Sequence, residues 1–161
     1  MFQTTAMRNK AFDDIAGRRS PVVTSLLWAA MVRQPVILRR ADLNPGASAA
    51  GTTLAVANWP AEGTATEVAP LHVHHHDDEA WYVIEGALRF RSVEGELIAP
   101  AGSTVLVPAG VPHTFGNAGP EPSRYLIVMT AKLQELISKL HEVPQSEHAG
   151  LYRSYDSELL E

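Results

Sequence analysis

Pro70-Leu71-His72-Val73-His74-His75-His76-Asp77-Asp78-Glu79 and Pro108-Ala109-Gly110-Val111-Pro112-His113 together hold five of the seven histidines in the chain. If residues 71–75 are extended, side chains alternate between faces, so His72 and His74 point one way and Leu71, Val73 and His75 the other. Two imidazoles then converge on one point. The turn 75–78 reverses the chain and returns Glu79 to the same face, where its carboxylate supplies a third ligand and offsets the charge of a metal. His113 follows the turn 108–110 and is the remaining histidine in β-rich sequence, so it supplies a fourth ligand from a distant strand. The chain has no cysteine, which excludes disulfides, thiolate ligands and a cysteine nucleophile. Imidazole and carboxylate donors suit one divalent transition metal, Fe, Mn, Ni, Zn, Co or Cu, and leave coordination positions open for water or substrate. A histidine-rich turn is also an ordinary solvated loop, and that reading stands beside the metal for His75 and His76.

On either side of these stretches, from residue 36 to 130, short β-rich runs alternate with Gly, Pro, Asn and Asp, the pattern of an antiparallel sandwich or barrel. The runs are 36–40, 52–59, 67–76, 79–85, 87–92, 96–99, 104–107, 113–116 and 124–130. Between them, Asn44-Pro45-Gly46, Glu85-Gly86, Pro100-Ala101-Gly102, Pro108-Ala109-Gly110 and Asn117-Ala118-Gly119-Pro120 fix φ or permit positive φ. After Thr130 the period changes. Leu133, Leu136, Ile137 and Leu140 form the stripe of an amphipathic helix over 131–143, which Pro144 ends. The tail 145–161 is polar and acidic, with Leu151, Tyr152, Tyr155, Leu159 and Leu160 as anchors for packing on a partner subunit.

The chain has 161 residues, enough for one core and too few for two ordinary domains. The expected division is an N-terminal arm or extension over 1–33, a β-barrel over 34–130, and a C-terminal helix and tail over 131–161. Hydrophobic residues at 45% and charged residues at 19% are those of a globular protein. A net charge of −5 leaves no basic surplus for a phosphate backbone, so nucleic acid is not an expected partner. The apolar run 21–32 behind Arg18-Arg19 is twelve residues long, too short to cross a bilayer. It is interrupted by Thr24 and Ser25, and no clean cleavage site follows, so no membrane association and a cytoplasmic location are expected. Truncation to Met31 is expected to leave folding intact.

The two histidine stretches resemble the paired motifs of the cupin superfamily. The first motif is read here as His72, one residue, His74, four residues, Glu79, six residues, Gly86. The second is read as Gly102, five residues, Pro108, one residue, Gly110, two residues, His113, three residues, Asn117. The one departure is Thr66, where the family pattern often has a glycine six positions before the first histidine. The resemblance covers about residues 36–130. It implies an all-β, double-stranded β-helix (jelly-roll) barrel, a homodimer, and a metal held inside by His72, His74, Glu79 and His113.

Counting by two from the ligands places Trp81 and Val83 on the face of Glu79, and Phe115 on that of His113, which predicts an apolar pocket for a small-molecule ligand or substrate. For the aromatic pair Trp81 and Phe115, plain core packing is the reading that stands beside the pocket. Glu79 and His76 are the candidate acid/base groups. Among resembling families are flavonol-cleaving, quercetin dioxygenase-like cupins, and the expected activity is that of a metal-dependent dioxygenase. The alternatives are a metal-dependent isomerase or decarboxylase, and a non-catalytic ligand-binding barrel.

Overall fold

The computed structural model describes residues 35–44, 46–49, 52–62 and 67–160. The expected N-terminal arm, the truncation point Met31 and the departure at Thr66 lie outside them. Residues 36–161 form one compact unit. Its strands are β1 (Ala47–Ser48), β2 (Leu54–Ala61), β3 (Glu67–His74), β4 (Glu79–Glu85), β5 (Ala87–Ser92), β6 (Gly95–Pro100), β7 (Thr104–Val107), β8 (His113–Asn117), β9 (Ser123–Thr130) and β10 (Ser157–Leu159). Two helices, α1 (Ala131–Leu140) and α2 (Gln145–Ser154), separate β9 from β10.

The strands form two five-stranded sheets, ordered β1-β2-β9-β4-β7 and β10-β3-β8-β5-β6, with every pair antiparallel. Alternation fills the space between them. In β9 the residues Ser123, Tyr125, Ile127 and Met129 are buried while their neighbours are partly exposed, and in β4 Glu79, Trp81 and Val83 face inward. Trp81, Phe90 and Phe115 stack against one another with ring centroids 5.1 to 5.6 Å apart, the separation at which aromatic pairs attract. The expected all-β, double-stranded β-helix architecture is the one observed.

Three expectations are corrected. Residues 36–40 form no strand: Val36 and Ile37 are 57% and 89% exposed, and Arg40–Leu43 is a 3-10 helix closed by the Arg39 N–H donating to Asp42 Oδ2 at 2.7 Å. The helix expected over 131–143 stops at Leu140, and Pro144 serves instead as the N-cap of α2. The segment read as a tail instead carries α2 and β10: Tyr152 is buried, and β10 pairs with β3 in the register Ser157↔His74 and Leu159↔His72. The C-terminal segment therefore lies on the strand that carries two of the candidate ligands.

Candidate metal centre

Pro70 lacks an N–H, and β3 breaks its register with β8 between Ala69 and His72. The freed Pro70 carbonyl accepts from His72 Nδ1–H at 2.7 Å. Beyond the bulge, His72 and His74 share the inward face and are 4% and 5% exposed. The turn that follows is anchored at Asp77, which accepts from Thr130 Oγ1 at 2.8 Å and pairs with Lys132 at 3.1 Å. Because Asp77 turns inward, His75 and His76 turn outward and are exposed. His76, a candidate acid/base group from sequence, is not part of the cavity wall.

The second stretch is tied to the first through backbone groups. Gly110, with φ +83°, donates its N–H to His74 O at 2.7 Å, and Ala109 N–H donates to Asp78 Oδ1 at 2.8 Å. His113, at the start of β8, pairs with His72 and is 3% exposed.

His72, Glu79 and His113 place one ligand atom each within 4.8 Å of one another. His74 joins them through the carboxylate, its Nε2 lying 3.4 Å from Glu79 Oε2. The rings of His72 and His113 are 4.4 Å apart, and those of His72 and His74 4.7 Å. Each histidine has its Nδ1 committed. His113 Nδ1–H donates to Val111 O at 2.9 Å. His74 Nδ1 meets Ser157 Oγ at 2.8 Å; since that hydroxyl donates to Tyr155 O at 3.1 Å, it accepts from the imidazole. Protons fixed on Nδ1 leave lone pairs on all three Nε2 atoms.

These lone pairs face a carboxylate. His113 Nε2 and His74 Nε2 both approach Glu79 Oε2, at 3.1 and 3.4 Å, with no proton to bridge them. Acceptors crowded this way in a buried site repel unless a cation lies among them. The residues therefore fit a divalent metal. Their electrostatics agree: burial, followed by the neighbouring His113, lowers His72 to about 4, and burial with His72 and His113 lowers His74 to about 3. Both rings are neutral near pH 7, the state that binds a metal.

His72, His74 and Glu79 form part of the wall of a cavity of about 830 Å³. Trp81 and Phe115 line it. Val83 does not; it is fully buried in the core further along β4, where its backbone is bonded to Ser103 and Gly102. Tyr152, from α2, was not singled out as a site residue, yet its ring stacks at 8° on His74, 6.4 Å away, and lies 5.6 Å from His72. Burial and then the charge of Glu79 push its hydroxyl up to about 12, so it remains protonated near neutrality. Among the described residues, no helix is long and apolar enough to cross a membrane.

Residues 64–129 match the family model of the cupin domain. None of the curated proteins compared matches the chain. Among solved structures it is similar to a sugar phosphate isomerase from a cupin superfamily of Silicibacter pomeroyi, with 28% identity and a TM-score of 0.45 over 49% of this chain and 51% of that one. It is also similar to a double-stranded β-helix protein of Klebsiella pneumoniae, with 24% identity and a TM-score of 0.47 over 60% and 90% of the two chains. A cupin-2 domain containing protein of Shewanella frigidimarina shares 25% identity, with a TM-score of 0.43 over 50% and 72%. The chain spans about half the length of the Silicibacter pomeroyi protein. Both motifs lie inside the residues that match the cupin domain, and the two-sheet barrel is built around them.

Proposed function

We propose that the chain is a metal-dependent enzyme of dioxygenase type, acting on a small organic substrate at a centre of three histidines and one glutamate. The observation that carries this reading is the placement of His72, His74 and Glu79 in the wall of a large, mainly apolar cavity, with His113 Nε2 3.1 Å from the Glu79 carboxylate. His72, His74 and His113 would hold a divalent transition metal through Nε2, and Glu79 would neutralise part of its charge. A metal bound there would act as a Lewis acid and a template for substrate and O₂.

The chain's own residues do the rest. Ser157, Pro70 and Val111 orient the three imidazoles. Glu79 is the carboxylate placed to take a proton from a substrate held at the centre. Tyr152 covers His72 and His74 from the C-terminal side, and the hydrocarbon walls keep water low. In the dioxygenase reaction both oxygen atoms enter the organic substrate, which itself supplies the electrons, so no further reductant is required.

The test is oxygen uptake by protein loaded in turn with Fe(II), Mn(II), Co(II), Ni(II) or Cu(II), against a panel of enediols, diketones and flavonols. Uptake that depends on both metal and substrate supports the reading. Stoichiometric metal with no uptake on any member overturns the dioxygenase assignment in favour of an isomerase, a decarboxylase or a binding protein.

A further inference from the structure

Tyr152 reaches the cavity wall from a part of the chain remote from both histidine stretches, and it is held there firmly. Helix α2 ends at Ser154, and Asp156, with φ +51°, turns the chain into β10. Two backbone bonds fasten this segment along β3: His75 N–H donates to Asp156 O at 3.0 Å, and Leu160 N–H donates to Leu71 O at 2.8 Å. Lys132, on α1, lies 3.0 Å from Asp156 Oδ2. The end of α2 is thereby pinned. Tyr152, 4% exposed, sets its ring parallel to that of His74, at 8°, and 5.6 Å from that of His72. A group ordered before its ligand arrives loses little freedom on binding.

A buried tyrosine ring needs only hydrocarbon and aromatic neighbours, but its hydroxyl needs a partner. The imidazole Nδ1 atoms do not supply one, being bound to Pro70, Val111 and Ser157. Two other donors of the wall, the Tyr125 hydroxyl and the Trp81 indole N–H, are unpartnered and closed off from any molecule in the cavity. The Tyr152 hydroxyl is not: it makes no hydrogen bond among the described residues and keeps surface on the cavity that its residue lines. A phenylalanine would fill the same space beside the two imidazoles, so the hydroxyl is the part of this side chain without a structural task. Among the described residues, no lysine or arginine lines the cavity. A negatively charged group brought to this end therefore finds no cationic side chain, and a neutral donor beside it matters the more.

We infer that Tyr152 is a substrate-binding residue whose hydroxyl donates to a negatively charged oxygen of the molecule held at the centre, selecting anionic oxygen ligands over neutral ones. Glu79 lies in the same wall and is an acceptor, so such a molecule meets a donor and an acceptor in one place. This role rests on the proposed metal centre, which would hold the molecule, and is independent of whether the reaction is an oxygenation.

The experiment loads the full chain with Co(II) and titrates it with tropolone, which binds metals as an anion through two oxygens, and with pyridine, a neutral nitrogen ligand. Binding is followed by the visible Co(II) spectrum and by calorimetry. Tyr152→Phe should weaken tropolone by about 10- to 100-fold, the range for a hydrogen bond to a charged group. It should leave pyridine binding, Co(II) affinity and the melting temperature unchanged, because the ring and its packing remain. Tyr125→Phe, which removes a hydroxyl closed off from the cavity, should leave tropolone binding unchanged. A merely structural Tyr152 would instead lower the melting temperature and weaken both ligands alike, which would overturn the inference. Equal loss of tropolone binding in the two variants would overturn it too. Co(II) stoichiometry in the same samples separates the two readings. A wild-type chain that takes up no Co(II) overturns the centre and Tyr152's role with it. Stoichiometric Co(II) with tropolone bound equally by wild type and Tyr152→Phe, or by neither, overturns the role of Tyr152 and leaves the centre standing.

Discussion

Ser157 shows how a single hydroxyl can set a metal ligand. It lies opposite His74 in the β10–β3 register, accepts from His74 Nδ1–H, and donates its own O–H to Tyr155 O. Groups that orient a ligating imidazole typically alter metal affinity by about 10- to 100-fold when removed. Ser157→Ala should therefore weaken metal binding by about tenfold in a chelator competition. His75→Ala, at an exposed position on the other face of the turn, should leave it unchanged. Of the four proposed ligands, His72 and His74 were legible because a period of two fixes which histidines share a face, Glu79 because a turn returns it there, and His113 as the remaining histidine in β-rich sequence. Ser157 was not: it stands 83 residues from His74 in a polar tail, and local pattern carries no trace of so distant a pairing. Val83 obeyed the period yet left the cavity, because alternation selects a face of the sheet and not the distance along it.

At the scale of elements, turn residues marked the strand boundaries well where a partner strand lay on both sides. The turn at Gly86 shows why glycine is required. Its φ is +73°, and a Cβ there would lie 2.5 Å from Ser123 Oγ and 3.0 Å from Ser123 Cα. That hydroxyl already accepts from Ala87 N–H at 2.9 Å and donates to Asn117 Oδ1, so the ends of the two histidine motifs meet at one serine. Gly86→Ala combines left-handed strain with a clash and should destabilise the fold by about 1–3 kcal/mol in denaturant melts. Gly102→Ala, at φ +86° with nothing within 4 Å of the added carbon, should cost less. Where no partner lay alongside, the pattern misled. Residues 36–40 have the β-branched character of a strand but are largely exposed, without a ladder among the described residues. Helix α2 was hidden for a different reason: in QSEHAGLYRS only Tyr152 is buried, so no apolar stripe at helical spacing announces it.

For the whole molecule, burial of the histidine cluster couples stability to pH. In the unfolded chain these histidines titrate near 6.5, whereas the fold holds His72 to about 4 and His74 to about 3. As pH falls from 6.5 toward 4, the unfolded state takes up protons that the folded state refuses, so stability falls with pH over that window. Above 6.5 both states are neutral at these positions and the effect vanishes. Metal-free protein should thus melt at progressively lower temperature as it is acidified through that range. His72→Gln should flatten the dependence, which a series of calorimetric scans would show. Bound metal stabilises the fold by preferring it to the unfolded chain, so the loaded protein should melt higher near neutrality.

The architecture joins these scales: two sheets enclose an aromatic interior, and α1, α2 and β10 bring Tyr152 and Ser157 to the histidine end of the cavity. In this arrangement we propose that His72, His74, Glu79 and His113 together hold one metal. The most direct measurement is elemental analysis of the full chain, purified without a metal-affinity column, beside the His74→Ala and His113→Ala variants. The expected result is about one transition metal per wild-type chain and a sharp loss in both variants; unchanged metal content in the two variants would rule out the four-residue centre.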